Sequence, residues 1–275
     1  MPPPADRKPG PACNRAAGGN VARVPVSPLA ARSPRQRLAI TVALIGVCTL
    51  VLAVILSAAG FAPWDRGGGA APHHVSIPLG GRQRAELAVL SGATSITVAA
   101  GTRPGPLISV STPDTAGSVP VLTVSGGTVQ LTLRDSGAGG GGPAAVTVTL
   151  NPAVAWRLTL SGGASQTAVF LGTGRLRGAD FTAGSSQVTM RLPRPRGTVR
   201  IVLAGGASQV TLTAPAGVPA RLALDGGAST ATLAGQTTTG IAGGTVLTAP
   251  GWASAANRYD IEAPAGVADI SFGTW

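Results

Sequence analysis

Three arginines recur at matched places in the second half of the chain: Arg157, Arg200 and Arg221, each directly ahead of an apolar, strand-like run. Guanidinium groups in register make a positive stripe, and planar forks of this kind grip carboxylate and phosphate oxygens in pairs. Acidic glycans and anionic wall polymers are the matching ligands; a solvated outer face is the plainer reading. Four serines, Ser165, Ser186, Ser208 and Ser229, recur in the same way after a glycine and one further small residue. Aligned hydroxyls form a ladder able to satisfy backbone groups at a partly buried corner. Columns of Gln and Thr follow, either a flat array suited to sugars or ice, or outward residues chosen for β propensity.

The residue types that would support catalysis are sparse. His73 and His74 are the two histidines, adjacent in a Gly/Pro-rich stretch and far from any acid cluster. Glu86, Asp114, Asp135, Asp180, Asp225, Asp260, Glu262 and Asp269 make no paired motif of the glycoside-hydrolase kind, although Asp260 and Glu262 share one strand face. The Gly pairs fall between strand-like runs, not at a helix start, so they are not phosphate loops. Cys13 and Cys48 lie near the N-terminus and leave the second half with no thiolate ligand. No catalytic, cofactor-binding or metal-binding residue is assigned, and no cofactor is expected.

These candidates must be positioned by a repeat. "LSGGASQTAVFL" (160–171), "TAGSSQVTMRL" (182–192), "LAGGASQVTLTA" (203–214) and "LDGGASTATLAG" (224–235) align on their small-residue turns. The residue after the turn is Gln166, Gln187, Gln209 and Thr230, at spacings of 21, 22 and 21. A fixed period in this range marks a solenoid or an array. Within each copy the columns separate by parity. Leu160, Phe181, Leu203 and Leu224 form an apolar column, as do Val169, Met190, Leu212 and Leu233, while Arg, Gln and Thr columns lie between. In a strand, alternate side chains face opposite ways. Each copy is therefore two short strands with one dry face, bent at a turn where glycine permits positive φ and close backbone approach.

No copy can bury its dry face alone, so stacking must supply the core. Leu160, Leu203 and Leu224 are expected to lie in one file along the stack. Looser copies are read at 87–98, 121–133 and 264–272, giving about six to eight coils over 85–275, with Phe272 and Trp275 as candidate end caps. The rival architecture is a β-sandwich of hairpins at the Gly-Gly turns, which does not require the same residues every 21–22 positions.

The β-rich region is set apart by what precedes it. The net charge is +11, but residues 1–37 hold seven basic groups against the single acid Asp6. Residues 63–275 hold fourteen arginines against nine acids. With aromatics at 3% and no aromatic-interleaved basic patch, nucleic acid is not an expected partner. From Leu38 to Ala62 run 25 residues without a charge, enough for a membrane helix, which needs ~20. A secretory h-region is shorter, ~7–15 residues, although Ser57, Ala58 and Ala59 leave cleavage open. The positive-inside bias places the N-terminus in the cytoplasm, with Trp64 as an interfacial anchor. The expected organisation is a disordered basic cytoplasmic tail (1–37), a signal-anchor helix in the lipid bilayer (38–62), a spacer (63–84) and an extracytoplasmic β domain (85–275). That places the protein in the plasma membrane.

At its repeats the chain resembles bacterial adhesin-head-like β-solenoid domains. The matching residues are Pro215–Val218, Pro264–Val267 and the four small-residue turns. The resemblance implies an all-β, right-handed parallel β-helix with ~21–22-residue coils on an exported or membrane-tethered protein, and it brings no active-site residues. Three functions are then open. The first is a non-catalytic binding or scaffold module whose partner is a cell-envelope polymer or a protein. The second is a signalling protein with a sensing ectodomain. The third is a carbohydrate-active enzyme, which rests on fold analogy alone.

Overall fold

Period-two alternation of Val, Leu and Ile with Thr, Gln and Arg leaves one apolar edge on each short strand, and the fold is the set of pairings that buries those edges together. The computed structural model describes residues 73–137 and 144–275. The basic tail, the apolar run 38–62 and the first part of the spacer lie outside the described residues. No helix among the described residues is long and apolar enough to cross a membrane. They are all-β, with no helix, and form two mixed sheets.

In chain order the strands are β1 (His73–Ile77), β2 (Arg84–Val89), β3 (Ala93–Ala100), β4 (Ile108–Thr112), β5 (Ser118–Ser125), β6 (Thr128–Asp135) and β7 (Ala145–Leu150). The regular copies follow as β8 (Ala155–Leu160) with β9 (Ala164–Phe170), β10 (Arg175–Phe181) with β11 (Ser185–Arg191), and β12 (Thr198–Leu203) with β13 (Ala207–Ala214). Then come β14 (Ala220–Leu224) with β15 (Ala228–Leu233), β16 (Gln236–Ile241), β17 (Thr245–Thr248), and β18 (Arg258–Glu262) with β19 (Val267–Thr274). His73 and His74 thus open a strand in the stretch read as spacer.

Each repeat sends its first strand to one sheet and its second to the other, so one repeat makes a rung across both. The ten-stranded sheet runs β1-β4-β7-β3-β9-β11-β13-β19-β15-β16, and the nine-stranded sheet β17-β14-β18-β12-β10-β8-β2-β6-β5. Pairing between rungs is parallel and in register: Gln166, Gln187 and Gln209 are partners, as are Leu160, Phe181 and Leu203.

The order of rungs differs from the chain order at two places. β18 and β19, the last strands in sequence, lie between β12/β13 and β14/β15. β2 and β3 lie between β6/β7 and β8/β9. The file of Leu160, Phe181 and Leu203 therefore continues through Ala263 before Leu224: the Ala263 N–H donates to Ala223 O at 2.8 Å, and Ala263 O accepts from Gly226 N–H at 3.2 Å. The expected direct contact of Leu203 with Leu224 is corrected by this inserted rung. Phe272 is likewise no end cap, since it sits in β19 between Leu212 and Leu233. The outer positions are taken by β1 and β16 in one sheet and β5 and β17 in the other, all antiparallel to their neighbours.

A second correction concerns 121–133. The same Ser-Gly-Gly grammar there forms a hairpin within one sheet, β5 antiparallel to β6, instead of a crossing between sheets. Gly126 and Gly127 both have positive φ, 57° and 91°, the backbone that a tight two-residue hairpin requires. At the crossing turns the first glycine answers to space instead. A Cβ on Gly162 would lie 2.0 Å from the Ser91 carbonyl oxygen, and one on Gly205 would lie 2.1 Å from the Ala183 carbonyl carbon. In spatial order this column reads Ser91, Gly162, Ala183, Gly205, Ala265, Gly226, with a glycine against each larger neighbour.

The core lies between the sheets. Leu87, Leu158, Ala179, Ile201, Ile261 and Leu222 form one fully buried file. Each leucine or isoleucine of this file contributes roughly 1.5–3 kcal/mol by leaving water. The two largest buried rings have their polar tips satisfied: Trp156 Nε1–H donates to Asn151 O at 3.1 Å and Tyr259 O–H to Pro193 O at 2.6 Å.

Candidate binding surfaces

The outer face of the nine-stranded sheet carries the arginine row. Arg157, Gly178 and Arg200 are successive partners, but Asp260 stands between Arg200 and Arg221, and Glu86 flanks Arg157. Each arginine holds a carboxylate. Arg157 Nη2 lies 2.6 Å from Asp180, Arg200 pairs with Glu262, and Arg221 donates through Nε and Nη2 to both oxygens of Asp260 at 2.8 and 2.7 Å. Hydrogen bonding to Glu262 and to Asp260 raises the pKa of Arg200 and Arg221 respectively above the usual arginine value. The row is thus a mixed-charge ladder with one acid for each base. Trp252 completes one end: the guanidiniums of Arg221 and Arg258 lie 4.5 and 4.3 Å from its ring centroid, and its indole N–H donates to Tyr259 O at 2.7 Å. The shared face of Asp260 and Glu262 was readable from the sequence; their arginine partners were not, being 39 and 62 residues away.

The serine column lies along one corner of the stack. Ser165, Ser186, Ser208 and Ser229 are all exposed, and the first three line a shallow groove of about 670 Å³ with Gly163 and Gly184. The ladder is interrupted, because the inserted rung brings Ala268 between Ser208 and Ser229. The hydroxyl that serves the backbone is the neighbouring Ser185, which donates to Gln187 O at 3.0 Å and lies 3.3 Å from the Thr167 hydroxyl.

The outer face of the ten-stranded sheet is the most extended surface. One row runs His74, Ser111, Thr147, Thr97, Ala168, Thr189, Thr211, Ser271, Thr232 and Thr237, partner to partner across all ten strands. A second row, two residues along each strand, runs Ser95, Gln166, Gln187, Gln209, Asp269, Thr230 and Thr239. None of these side chains is buried. Strand spacing puts neighbours within a row ~4.8 Å apart, and the rows ~7 Å apart. Sequence reading found the Gln and Thr columns of the regular copies. It missed Ser271 and Asp269, because nothing in their local sequence places β19 beside β13. Among the described residues no three His, Cys, Asp or Glu side chains are grouped to hold a metal. The His74 ring nitrogen Nε2 instead lies 2.6 Å from Ser109 Oγ.

No protein-family description matches the chain, and no curated protein matches it. Among solved structures, the chain is similar in fold to a "putative cell adhesion protein" from Clostridium sporogenes ATCC 15579. The TM-score is 0.55 at 15% identity, over 74% of this chain and 100% of that one. A "putative adhesin" from Bacteroides fragilis NCTC 9343 aligns over 75% of this chain and 98% of that one, at 8% identity and a TM-score of 0.26.

Proposed function

We propose that the protein is a non-catalytic, adhesin-like binding module of the cell envelope, and that the outer face of its ten-stranded sheet contacts a neutral glycan polymer. The observation that carries this reading is the pair of in-register Ser/Thr/Gln rows. They offer hydroxyl and amide donors and acceptors at regular spacing, with Asp269 the one acidic residue in the second row. An array of this kind matches a repeating hydroxylated polymer better than a compact small molecule, which calls for a concave apolar pocket. In the same reading the rungs are turns of a right-handed parallel β-solenoid, which the parallel in-register pairing supports. The run 38–62 is a signal-anchor helix that holds the domain outside the plasma membrane, its basic tail inside.

The test is co-sedimentation of the full chain with insoluble cell-wall glycan. Replacing Thr189 and Thr211 by Val, and Gln187 and Gln209 by Ala, removes polar groups while keeping strand-compatible shapes. The apparent Kd should rise about a hundredfold or more with unchanged circular dichroism, as expected when several hydrogen bonds of about 1 kcal/mol each are lost. Unchanged binding by the fourfold variant rules the face out.

A further inference from the structure

A groove of about 880 Å³ opens where the segments leading into β2, β8, β10 and β12 run side by side. Arg84, Arg175, Arg177, Arg194 and Arg196 line it together with Asn257, and no carboxylate does. All five arginines are exposed, and the three ion pairs among the described residues belong to other arginines. Five of the thirteen arginines among the described residues thus meet in one carboxylate-free groove, whereas Arg157, Arg200 and Arg221 are each paired with an acid.

The groove is built before any ligand arrives. In Pro193-Arg194-Pro195-Arg196 the prolines are buried and the arginines exposed, and each proline ring fixes φ. Two hydrogen bonds pin this segment: Tyr259 O–H to Pro193 O at 2.6 Å, and Gly197 N–H to Asn257 Oδ1 at 2.7 Å. Leu176 is buried between Arg175 and Arg177 in the same manner. Arg84 and Arg175 are both registered on Ala155, which sets them two strand spacings apart, ~10 Å.

We propose that this groove binds a linear phosphodiester-linked polyol or sugar polymer. One phosphate brings a charge of only about −1.5 to −2, too little for five guanidiniums spread across the four successive rungs of β2, β8, β10 and β12; a chain of phosphodiesters meets them in turn. Guanidinium forks suit phosphate oxygens. No aromatic side chain lines the groove, so it lacks the stacking platforms on which single-stranded nucleic acids are held. The groove is distinct from the outer face of the ten-stranded sheet, and its test does not depend on that surface binding glycan.

The experiment titrates a fluorescent polyglycerol-phosphate oligomer with the full chain in detergent, across a salt series, reading anisotropy. Binding should weaken steadily with rising salt, as exposed guanidinium–phosphate pairs are screened. Replacing Arg194 and Arg196 by Ala should weaken binding about tenfold or more at low salt and make the remaining binding less salt-dependent. Replacing Arg103 and Arg134, exposed arginines outside the groove, removes the same charge and should leave affinity within about twofold. The proposal is overturned by no binding at low salt, or by an equal loss in the Arg103/Arg134 variant. It is also overturned if an oligothymidylate with as many phosphates binds as tightly, or if inorganic phosphate at matched ionic strength displaces the oligomer completely.

Discussion

Asp260 accepts two hydrogen bonds from the guanidinium of Arg221, at 2.8 and 2.7 Å, across 39 residues of chain. The contact ties β18 to β14 and so fixes the inserted rung to its neighbour. Asp260 is only 9% exposed, so losing it leaves Arg221 partly desolvated without its partner. The Arg221 side chain keeps solvent access, which moderates the penalty. Replacing Asp260 by Ala should cost about 1–3 kcal/mol, whereas replacing Arg157, in the more exposed pair with Asp180, should cost under about 1 kcal/mol. Denaturant unfolding of the two variants compares them, and equal losses would contradict the asymmetry.

The tight turns predict a contrast between glycines. Gly205 has backbone of Ala183 where its Cβ would go, at 2.1 Å, and backbone cannot swing aside as a side chain can. Gly205→Ala should cost about 3 kcal/mol or more and shift the neighbouring rungs. Gly273, in β19, has open space where a Cβ would stand, with nothing within 4 Å, and its φ is not positive. Gly273→Ala should therefore be neutral or slightly stabilising. Thermal unfolding decides between them; a tolerated Gly205→Ala would mean that the stack is looser than described.

Tyr259 makes the fold sensitive to alkali. Burial raises its pKa well above the ordinary tyrosine value, which is about 10. Above that pH the unfolded chain releases the phenolic proton while the folded chain keeps it. The folded state then binds more protons, and stability falls with rising pH by about 1.4 kcal/mol per unit until the folded pKa is reached. Below pH 10 the contribution is constant. The chain has one tyrosine, so phenolate absorbance reports this group alone: it should stay silent past pH 10 and rise together with unfolding. Tyr259→Phe should abolish the slope and, through the lost bond to Pro193, cost about 1 kcal/mol at neutral pH.

Insertion of the last rung also predicts how the chain tolerates shortening. In a sequential array a terminal repeat contacts one neighbour and its loss is mild. Here β18 and β19 each pair on both sides. Ending the chain at Asn257 should detach β14–β17 from the remaining rungs, leaving 218–257 open to limited proteolysis. Protection of that segment in the shortened chain would show that the inserted rung is dispensable.

The sequence by itself determined the strand periodicity, the two-strand repeat, the dry columns and the need for small residues at the crossing turns. All of these are set within about twenty neighbouring residues, by side-chain alternation and by steric room at a bend. Leu160, Phe181 and Leu203 fell into one file as their spacing required. Stacking order was decided only by tertiary structure. Any rung of this type presents the same backbone hydrogen-bonding edge, so local sequence carries no address for its neighbour; Ala263 fits between Leu203 and Leu224 as well as a consecutive copy would. For the same reason the arginine row read as a positive stripe until Asp180, Glu262 and Asp260 were brought against it. Arg84, Arg175, Arg177, Arg194 and Arg196, scattered over more than a hundred positions, converge on one groove because parallel pairing brings the starts of distant strands to a common edge.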